Sequence, residues 1–141
     1  MANKVYVETG TKTFEAENDL SAKQYYLVEL GTSAGQVDVP DANTDIPIGV
    51  LRNDPKAQEN ASVRLLNSQG TEFMVASAAI AKGALVVPAL IATAANKGKI
   101  RTLTGIATET VYIVGMALEA ATADGDIIEV ALMPAIQRVI A

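Results

Sequence analysis

The 141-residue sequence contains neither cysteine nor histidine. Without cysteine, disulfide bonds and thiolate chemistry are excluded. Without histidine, the chain lacks the commonest general base, the commonest metal ligand and the usual side chain that titrates near neutral pH. An enzyme built from this sequence would therefore need a clear arrangement of carboxylate or lysine side chains.

Aromatic residues are also scarce, with no Trp, two Phe and four Tyr, although half of the residues are apolar. Most of the apolar residues are Ala, Val, Ile and Leu, which suit the narrow core of a β-sandwich or small β-barrel. A chain of this length forms one domain that buries roughly 68% of the surface exposed by its unfolded form. We therefore expect a single, soluble, mainly β domain.

Basic residues are outnumbered, with 11 Lys and Arg against 16 Asp and Glu, for a net charge of −5. Nucleic-acid binding needs a basic surface that displaces counterions from phosphates, and anionic lipid also attracts basic segments. The longest weakly charged stretch, residues 74–95, is interrupted by Lys82, Gly83 and Pro88. A lysine near the membrane centre costs about 2.5–3.5 kcal/mol. We predict neither a nucleic-acid partner nor a membrane partner.

Short apolar runs alternate with turn residues from Tyr25 onward. This spacing predicts about eight to ten short strands in a sandwich or barrel. Asn67–Gly70 resembles a hairpin turn, residues 76–83 resemble a single helical turn, and helix competes with strand over residues 111–123. The predicted strands cover residues 25–30, 35–39, 46–51, 62–66, 71–75, 85–87, 100–103, 111–118 and 127–132.

Two passages of the sequence resemble each other. Ile48–Val50 is followed by a polar stretch and then by Val63–Leu65, and Val114–Met116 is followed at nearly the same spacing by Val130–Leu132. Both passages read as strand, turn and strand. The similarity predicts two similar β-hairpins in one barrel.

The N-terminal residues are polar and show no sustained alternation of apolar and polar positions. We therefore divide the chain into an N-terminal arm (residues 1–22) and a β-rich domain (residues 23–141). The arm either folds back on its own domain or orders against a partner, by pairing with a strand edge and inserting an aromatic anchor. The candidate contact residues are Val5, Tyr6, Val7 and Phe14.

Two acidic clusters are candidates for chemistry. Asp124–Asp126 has the spacing that opens a calcium loop, but isoleucines stand where further ligands are needed, which favours a turn. Asp38, Asp41 and Asp45 would need a cleft with aromatic platforms to act on sugars, so we interpret them as solvated loop charges. No glycine pattern for nucleotide binding is present. We predict no enzymatic activity, no metal and no cofactor.

Three passages resemble motifs of the small capsid cement, or head-decoration, proteins of bacteriophages. They are Pro47–Pro55 (PIGVLRNDP), Val75–Ala84 (VASAAIAKGA) and Val114–Leu132 (VGMALEAATADGDIIEVAL). They occur in the expected order and extend the resemblance from about Tyr25 to Pro134. The segment before Tyr25 has no counterpart in the family's pattern.

The resemblance implies a compact β-barrel, or a β-tulip or sandwich-like domain, that performs no chemistry. Such a protein binds the outside of a phage head as a homotrimer and cements neighbouring subunits of the major capsid protein. It would be assembled in the host cytoplasm and located on the exterior of the virion. The alternatives are another phage structural β protein, from a tail, fibre or head-completion complex, and a ligand-binding β module.

Overall fold

The computed structural model describes residues 10–104 and 108–140, and its regular structure is almost entirely β. This confirms the predicted fold class. Within these residues, no helix is both long and apolar enough to span a membrane. A single 3-10 turn covers Ala94–Asn96. The strands are β1 (Thr11–Ala16), β2 (Leu27–Leu30), β3 (Gln36–Asp38), β4 (Gly49–Leu51), β5 (Asn60–Leu65), β6 (Thr71–Val75), β7 (Leu85–Pro88), β8 (Ile100–Thr102), β9 (Thr110–Ala117) and β10 (Ile127–Val139).

The ten strands form two sheets of five. In the first sheet, the order β1-β3-β2-β4-β5 closes into a barrel because β1 also pairs with β5. The β1–β3 pairing is parallel, with Ala16 opposite Val37, and the other pairings in this sheet are antiparallel. The second sheet has the order β6-β10-β9-β7-β8 and its ladders are antiparallel.

The two sheets have the same connectivity. Read from β1 around the barrel, the first is β1-β5-β4-β2-β3, and adding five to each number gives the order of the second. Backbone hydrogen bonds repeat as well: the N–H of Leu65 donates to the carbonyl of Gly10 at 2.7 Å, and that of Leu132 donates to Gly70 at 2.9 Å. The chain therefore contains two copies of one five-stranded unit, here called the first half (residues 10–66) and the second half (residues 70–140).

The second half curls in the same way as the first. The N–H of Ala16 donates to the carbonyl of Glu59 at 2.9 Å, and the N–H of Ala76 donates to that of Asp126 at 2.8 Å. Where parallel pairing of β1 and β3 closes the first barrel, a single parallel bridge between Ala76 and Ile100 joins β6 to β8. One unit is thus closed by a short ladder and the other by one bridge.

The two similar hairpins predicted from the sequence are confirmed, but one lies in each half rather than both in one barrel. Gly49 in β4 is paired with Leu65 in β5, and Gly115 in β9 is paired with Leu132 in β10. A Cβ atom on Gly49 would lie 2.5 Å from the Arg64 carbonyl oxygen, and one on Gly115 would lie 2.4 Å from that of Ala131. Each strand pair approaches too closely at this position for any other residue.

The interiors of the two halves are filled by aliphatic side chains at equivalent positions. The sizes at two of these positions are exchanged: the first half has Leu51 and Ala61 where the second has Ala117 and Ile128. Exchanges that conserve total volume are the substitutions that a close-packed core tolerates best. The buried interior of the first half consists of Ala16, Leu20, Val28, Val37, Leu51, Ala61 and Val63.

The structure corrects the predicted N-terminal arm of residues 1–22. From Thr11 onward this segment belongs to the barrel, because β1 lies between β3 and β5, and Ala16 and Leu20 are buried. The strand escaped sequence analysis because only Phe14 and Ala16 provide it with apolar side chains. Residues 1–9 lie outside the described part of the chain.

Two local predictions between the halves are wrong. Asn67–Gly70 does not join a hairpin, because β5 pairs with β4 and β1 whereas β6 pairs with β10. This segment instead links the two halves. Residues 76–83 form no helical turn but an irregular segment held by a bridge between Ile80 and Ala121. The competing helix over residues 111–123 is also absent, since β9 occupies its first part.

Candidate interaction surface

The two halves are joined through the outer face of the first barrel. Leu27 in β2 and Val50 in β4 are a cross-strand pair on that face, and both are fully buried in the core cluster of the second half. The N–H of Leu27 donates to the carbonyl of Gly98 in the second half at 2.7 Å. The repeated unit therefore packs against a copy of itself within the chain.

An aromatic pair and an ion pair flank this contact. The rings of Tyr25 and Phe73 meet edge to face, with centroids 5.6 Å apart and an interplanar angle of 68°. The Arg52 Nε lies 3.0 Å from a carboxylate oxygen of Glu72, which is buried. A buried carboxylate is costly unless it is paired, so the Arg52–Glu72 contact fixes how the two halves are placed.

The same face of the second half is only partly covered. Leu85 and Met116 are paired there as Leu27 and Val50 are in the first half. Leu85 packs in a small cluster with Val87, Val111 and Ile113, over which other parts of the second half fold. Met116 remains 37% exposed. The chain thus covers this face of the second half at Leu85 and leaves it open to solvent at Met116.

Four large apolar side chains lie on the open part, which we call the outer patch. Phe73 (45% exposed), Leu118 (41%) and Ile127 (52%) join Met116 on the outer side of β6, β9 and β10. Phe73 is paired with Glu129, and the N–H of Leu118 donates to the Glu129 carbonyl at 3.0 Å. Ile127 is two residues from Glu129 on the same side of β10, so the four apolar side chains lie on one face around the Glu129 side chain.

The equivalent positions of the first half carry different chemistry. Thr13, Arg52 and Asn60 occupy the places of Phe73, Leu118 and Ile127, and all three are exposed. The fourth position is Val50, which is buried between the halves. The fold itself therefore does not require apolar side chains at the outer patch, because the same unit is built with polar ones in the first half.

Of the four predicted contact residues, the structure describes Phe14. Val5, Tyr6 and Val7 lie outside the described residues. Phe14 is in β1, half-buried, and packs against the interior of the first half, with the Lys12 Nζ 5.6 Å from its ring centroid. Phe14 is therefore part of the barrel core, which argues against a role as an aromatic anchor for a partner.

The outer patch escaped the sequence analysis, although a signal for it was present. Ile127 and Ile128 are consecutive in a strand, so their side chains point to opposite faces of the sheet. Ile128 is buried, which leaves Ile127 outside. Two adjacent large apolar residues in a strand of an antiparallel sheet indicate either a second buried face or a contact surface.

Three carboxyl groups meet near the loop that follows β3. One oxygen atom each from Glu29, Asp41 and Asp45 lies within 4.8 Å of the others. Burial, and then a hydrogen bond with Asp45, raises the pKa of Glu29 to about 8. Although burial opposes it, the N–H groups of Ala42 and Asp41 hold the pKa of Asp45 below its ordinary value. The raised pKa of Glu29 favours its protonated form near neutral pH, which reduces the repulsion among the three groups.

The Asp124–Asp126 segment is a turn, as predicted. The Asp126 carboxylate accepts hydrogen bonds from the N–H of Thr122 at 2.7 Å, its hydroxyl at 2.9 Å and the N–H of Ala123 at 3.1 Å. These bonds, those of Thr122 first, lower the pKa of Asp126. Asp124 is paired with Lys99 at 2.7 Å. Both carboxylates are occupied by donors of the protein itself.

An ion pair beside β8 lines a small cavity. The Arg101 guanidinium lies 2.8 Å from Glu109, and Arg101 Nε and Glu109 Oε2 are buried without another partner. The adjoining cavity holds about 10 Å³, which is room for a single water molecule. A shallow hollow of about 300 Å³ nearby is lined by small and polar side chains such as Ser77 and Thr93. The first is too small for an organic ligand, and the second is shallow.

The fold is similar to that of a solved phage structural protein. No family model matches the chain, and no curated protein does. One similar structure is the N base of the head fibre gp8.5 of bacteriophage phi29, with a TM-score of 0.64. The match covers 89% of this chain and 94% of that one, at 16% sequence identity. At this identity, the likeness shows a shared fold.

Proposed function

We propose that this chain is a structural protein of a bacteriophage head. It binds the outer surface of the shell as a homotrimer and cements neighbouring subunits of the major capsid protein. The observation that carries the proposal is the likeness of nearly the whole chain to the N base of a phage head fibre. The three sequence passages that resemble cement proteins support it independently.

The chemistry of the chain is consistent with a role that involves no catalysis. The sequence has no histidine or cysteine, and the carboxylates of Asp124 and Asp126 are engaged by an ion pair and by hydrogen bonds within the protein. Two rigid β units joined by a buried interface form a compact adhesive block. Three linked copies with modest individual contacts bind a lattice far more tightly than one copy.

A second candidate function is the base of a fibre that projects from the head, which the same structural likeness favours. Cryo-electron microscopy of the particle distinguishes the two. A cement protein gives density close to the shell at many equivalent positions. A fibre base gives density from which a thin projection extends outward.

The attachment site is proposed to include Val5, Tyr6 and Val7. These residues precede β1, which begins at Thr11. An apolar segment of this kind binds a partner by pairing with an exposed strand edge, where main-chain hydrogen bonds provide affinity. Phe14 is left out of this proposal because it belongs to the barrel core.

Binding to heads that lack the protein tests both statements. We expect the full chain to co-sediment with such heads, and a variant lacking residues 2–9 to lose most of this binding while keeping its melting temperature. The deletion stops before β1, so the barrel stays complete. Absence of binding by the full chain would contradict the proposed function. Full binding by the deletion variant would contradict only the role of Val5–Val7.

A further inference from the structure

The outer patch differs from an ordinary exposed sheet face in one respect. Phe73, Leu118 and Ile127 are each more than 40% exposed and lie on one sheet face around Glu129, whereas their counterparts in the first half are polar. Isolated exposed apolar residues are normal, but contiguous ones mark contact surfaces. Since the unit folds with polar residues at these places, stability of the fold does not explain the apolar ones.

The intramolecular contact indicates what covers such a face. In the first half, the outer pair Leu27 and Val50 is buried against another copy of the same unit. The outer patch is continuous with that contact, because Phe73 also touches Tyr25 across the interface between the halves. A second copy of the chain placed on the patch would continue this apolar contact from its Phe73 end, although through different surfaces, since Leu27 and Val50 pack against the interior of the second half.

We propose that copies of this chain associate through the outer patch, so that Phe73, Met116, Leu118 and Ile127 of each copy pack around a shared axis. The trimeric stoichiometry rests on the proposed function, whereas the surface is assigned by the structure. The Glu129 carboxylate lies between Phe73 and Leu118 and accepts a hydrogen bond of 2.8 Å from the Thr71 hydroxyl. It therefore has a partner within its own chain when a second copy covers the patch.

The test uses substitutions that the chain itself provides. Phe73→Thr, Leu118→Arg and Ile127→Asn place the residues of the first half on the second half, where the same backbone accepts them. We expect the unmodified chain to sediment as a trimer at micromolar concentration. We expect the triple variant to be monomeric, with an association constant reduced by at least about 100-fold.

A matched control changes exposed apolar residues outside the patch. Leu30→Thr, Ile46→Asn and Val139→Arg introduce the same three side chains at positions that are at least as exposed. We expect this variant to remain a trimer. A monomeric unmodified chain, or a patch variant that associates as tightly as the control, would overturn the assignment.

Cysteine cross-linking keeps the proposal testable if the triple variant fails to fold. The chain has no cysteine, so Ile127→Cys introduces a single thiol within the patch. Mild oxidation should link copies of this variant rapidly, and should leave the Ile46→Cys variant unlinked. Equal cross-linking of both variants would contradict the proposal.

Binding to heads separates this inference from the proposed function. If the unmodified chain binds heads but does not associate in solution, the assignment of the outer patch is overturned and the proposed function stands. A trimer that depends on the patch but ignores heads would overturn the function and leave the surface standing.

Discussion

The two halves of the molecule share a fold and differ in what surrounds it. Inside, equivalent positions carry similar aliphatic residues, such as Leu20 and Ile80, or Val37 and Ile100. Outside, the first half presents polar side chains where the second half presents the outer patch. The first half also buries one outer face between the units. Identical connectivity thus supports two different surfaces.

This difference separates the features that the fold requires from the features that serve a contact of one half. A feature found in both halves, such as the close approach at Gly49 and Gly115, is required by the fold. A feature found in one half, such as the Glu29 carboxyl group or the outer patch, serves stability or binding at that place alone. Substitutions at equivalent positions therefore separate the two kinds of feature.

The largest expected effect concerns the two close approaches. Gly49→Ala and Gly115→Ala each bring a Cβ atom to within 2.5 Å of a backbone carbonyl oxygen on the partner strand. We expect each substitution to lower the free energy of unfolding by about 2–3 kcal/mol, because the strands must separate to accommodate it. Urea denaturation measures the loss.

The two losses should agree closely if the halves are equivalent. Thr13→Ala, an exposed change in β1, is the control and should stay within about 0.5 kcal/mol of the unmodified chain. If one glycine substitution lowers the free energy of unfolding no more than Thr13→Ala does, the corresponding strand pair tolerates a side chain. The two halves would then not be equivalent at this position.

The next effect concerns Glu29, whose counterpart in the second half is the buried Val87. Its pKa is raised from 4.5 to about 8, so between these values the folded state holds a proton that the unfolded state releases. Stability from this group is complete at acidic pH and is lost as the pH rises through 8. Glu29→Gln abolishes this dependence.

We expect the unmodified chain to lose about 1 kcal/mol relative to Glu29→Gln between about pH 5 and pH 9, a value discounted for solvent screening of a half-buried group. The neighbouring Asp38, Asp41 and Asp45 are present in both proteins, and the amide of Glu29→Gln can still donate to Asp45, so the difference reports on Glu29 together with its hydrogen bond to Asp45. Parallel pH profiles for the two proteins would mean that Glu29 titrates normally.

The smallest effect concerns a turn in which the halves differ. Gln58 has a φ of 68°, and its equivalent, Gly125, has a φ of 90°. A residue other than glycine in this left-handed region destabilises the folded state by about 1 kcal/mol. Replacing it with glycine removes that cost, but part of the gain is offset because glycine loses more conformational entropy on folding. We expect Gln58→Gly to stabilise the protein by about 0.5 kcal/mol.

The reverse change, Gly125→Gln, should destabilise it by about 1 kcal/mol, since nothing lies within 4 Å to support the new side chain. Thermal melts of the two variants provide the comparison. Changes of the same sign in both would show that the two turns are not equivalent.

Much of the fold was predictable from local pattern. The strand over Thr71–Val75 coincides with its prediction, because apolar and turn residues mark it on both sides. β1 was missed because its outward residues are polar and its apolar side chains few. Closure by parallel pairing of β1 and β3 joins distant parts of the chain, and no local signal specifies it.

The repeat was only partly visible, for a physical reason. A close-packed core constrains volume and shape more than identity, so Leu51 and Ala61 can become Ala117 and Ile128 without changing the fold. Glycine alone satisfies the close approach, so the matching passages surround Gly49 and Gly115. The outer patch was missed because exposure depends on which neighbours a strand acquires.

Two units with one connectivity create a choice of partner while the chain folds, because β1 and β6 suit equivalent places. Mispairing of similar segments is a characteristic kinetic hazard of repeat proteins. The Arg52–Glu72 ion pair discriminates between them, since β1 carries Lys12 where β6 carries Glu72. In the wrong place, Lys12 would face Arg52 with like charge. The Arg52–Glu72 ion pair therefore favours the pairing of each strand with its own barrel.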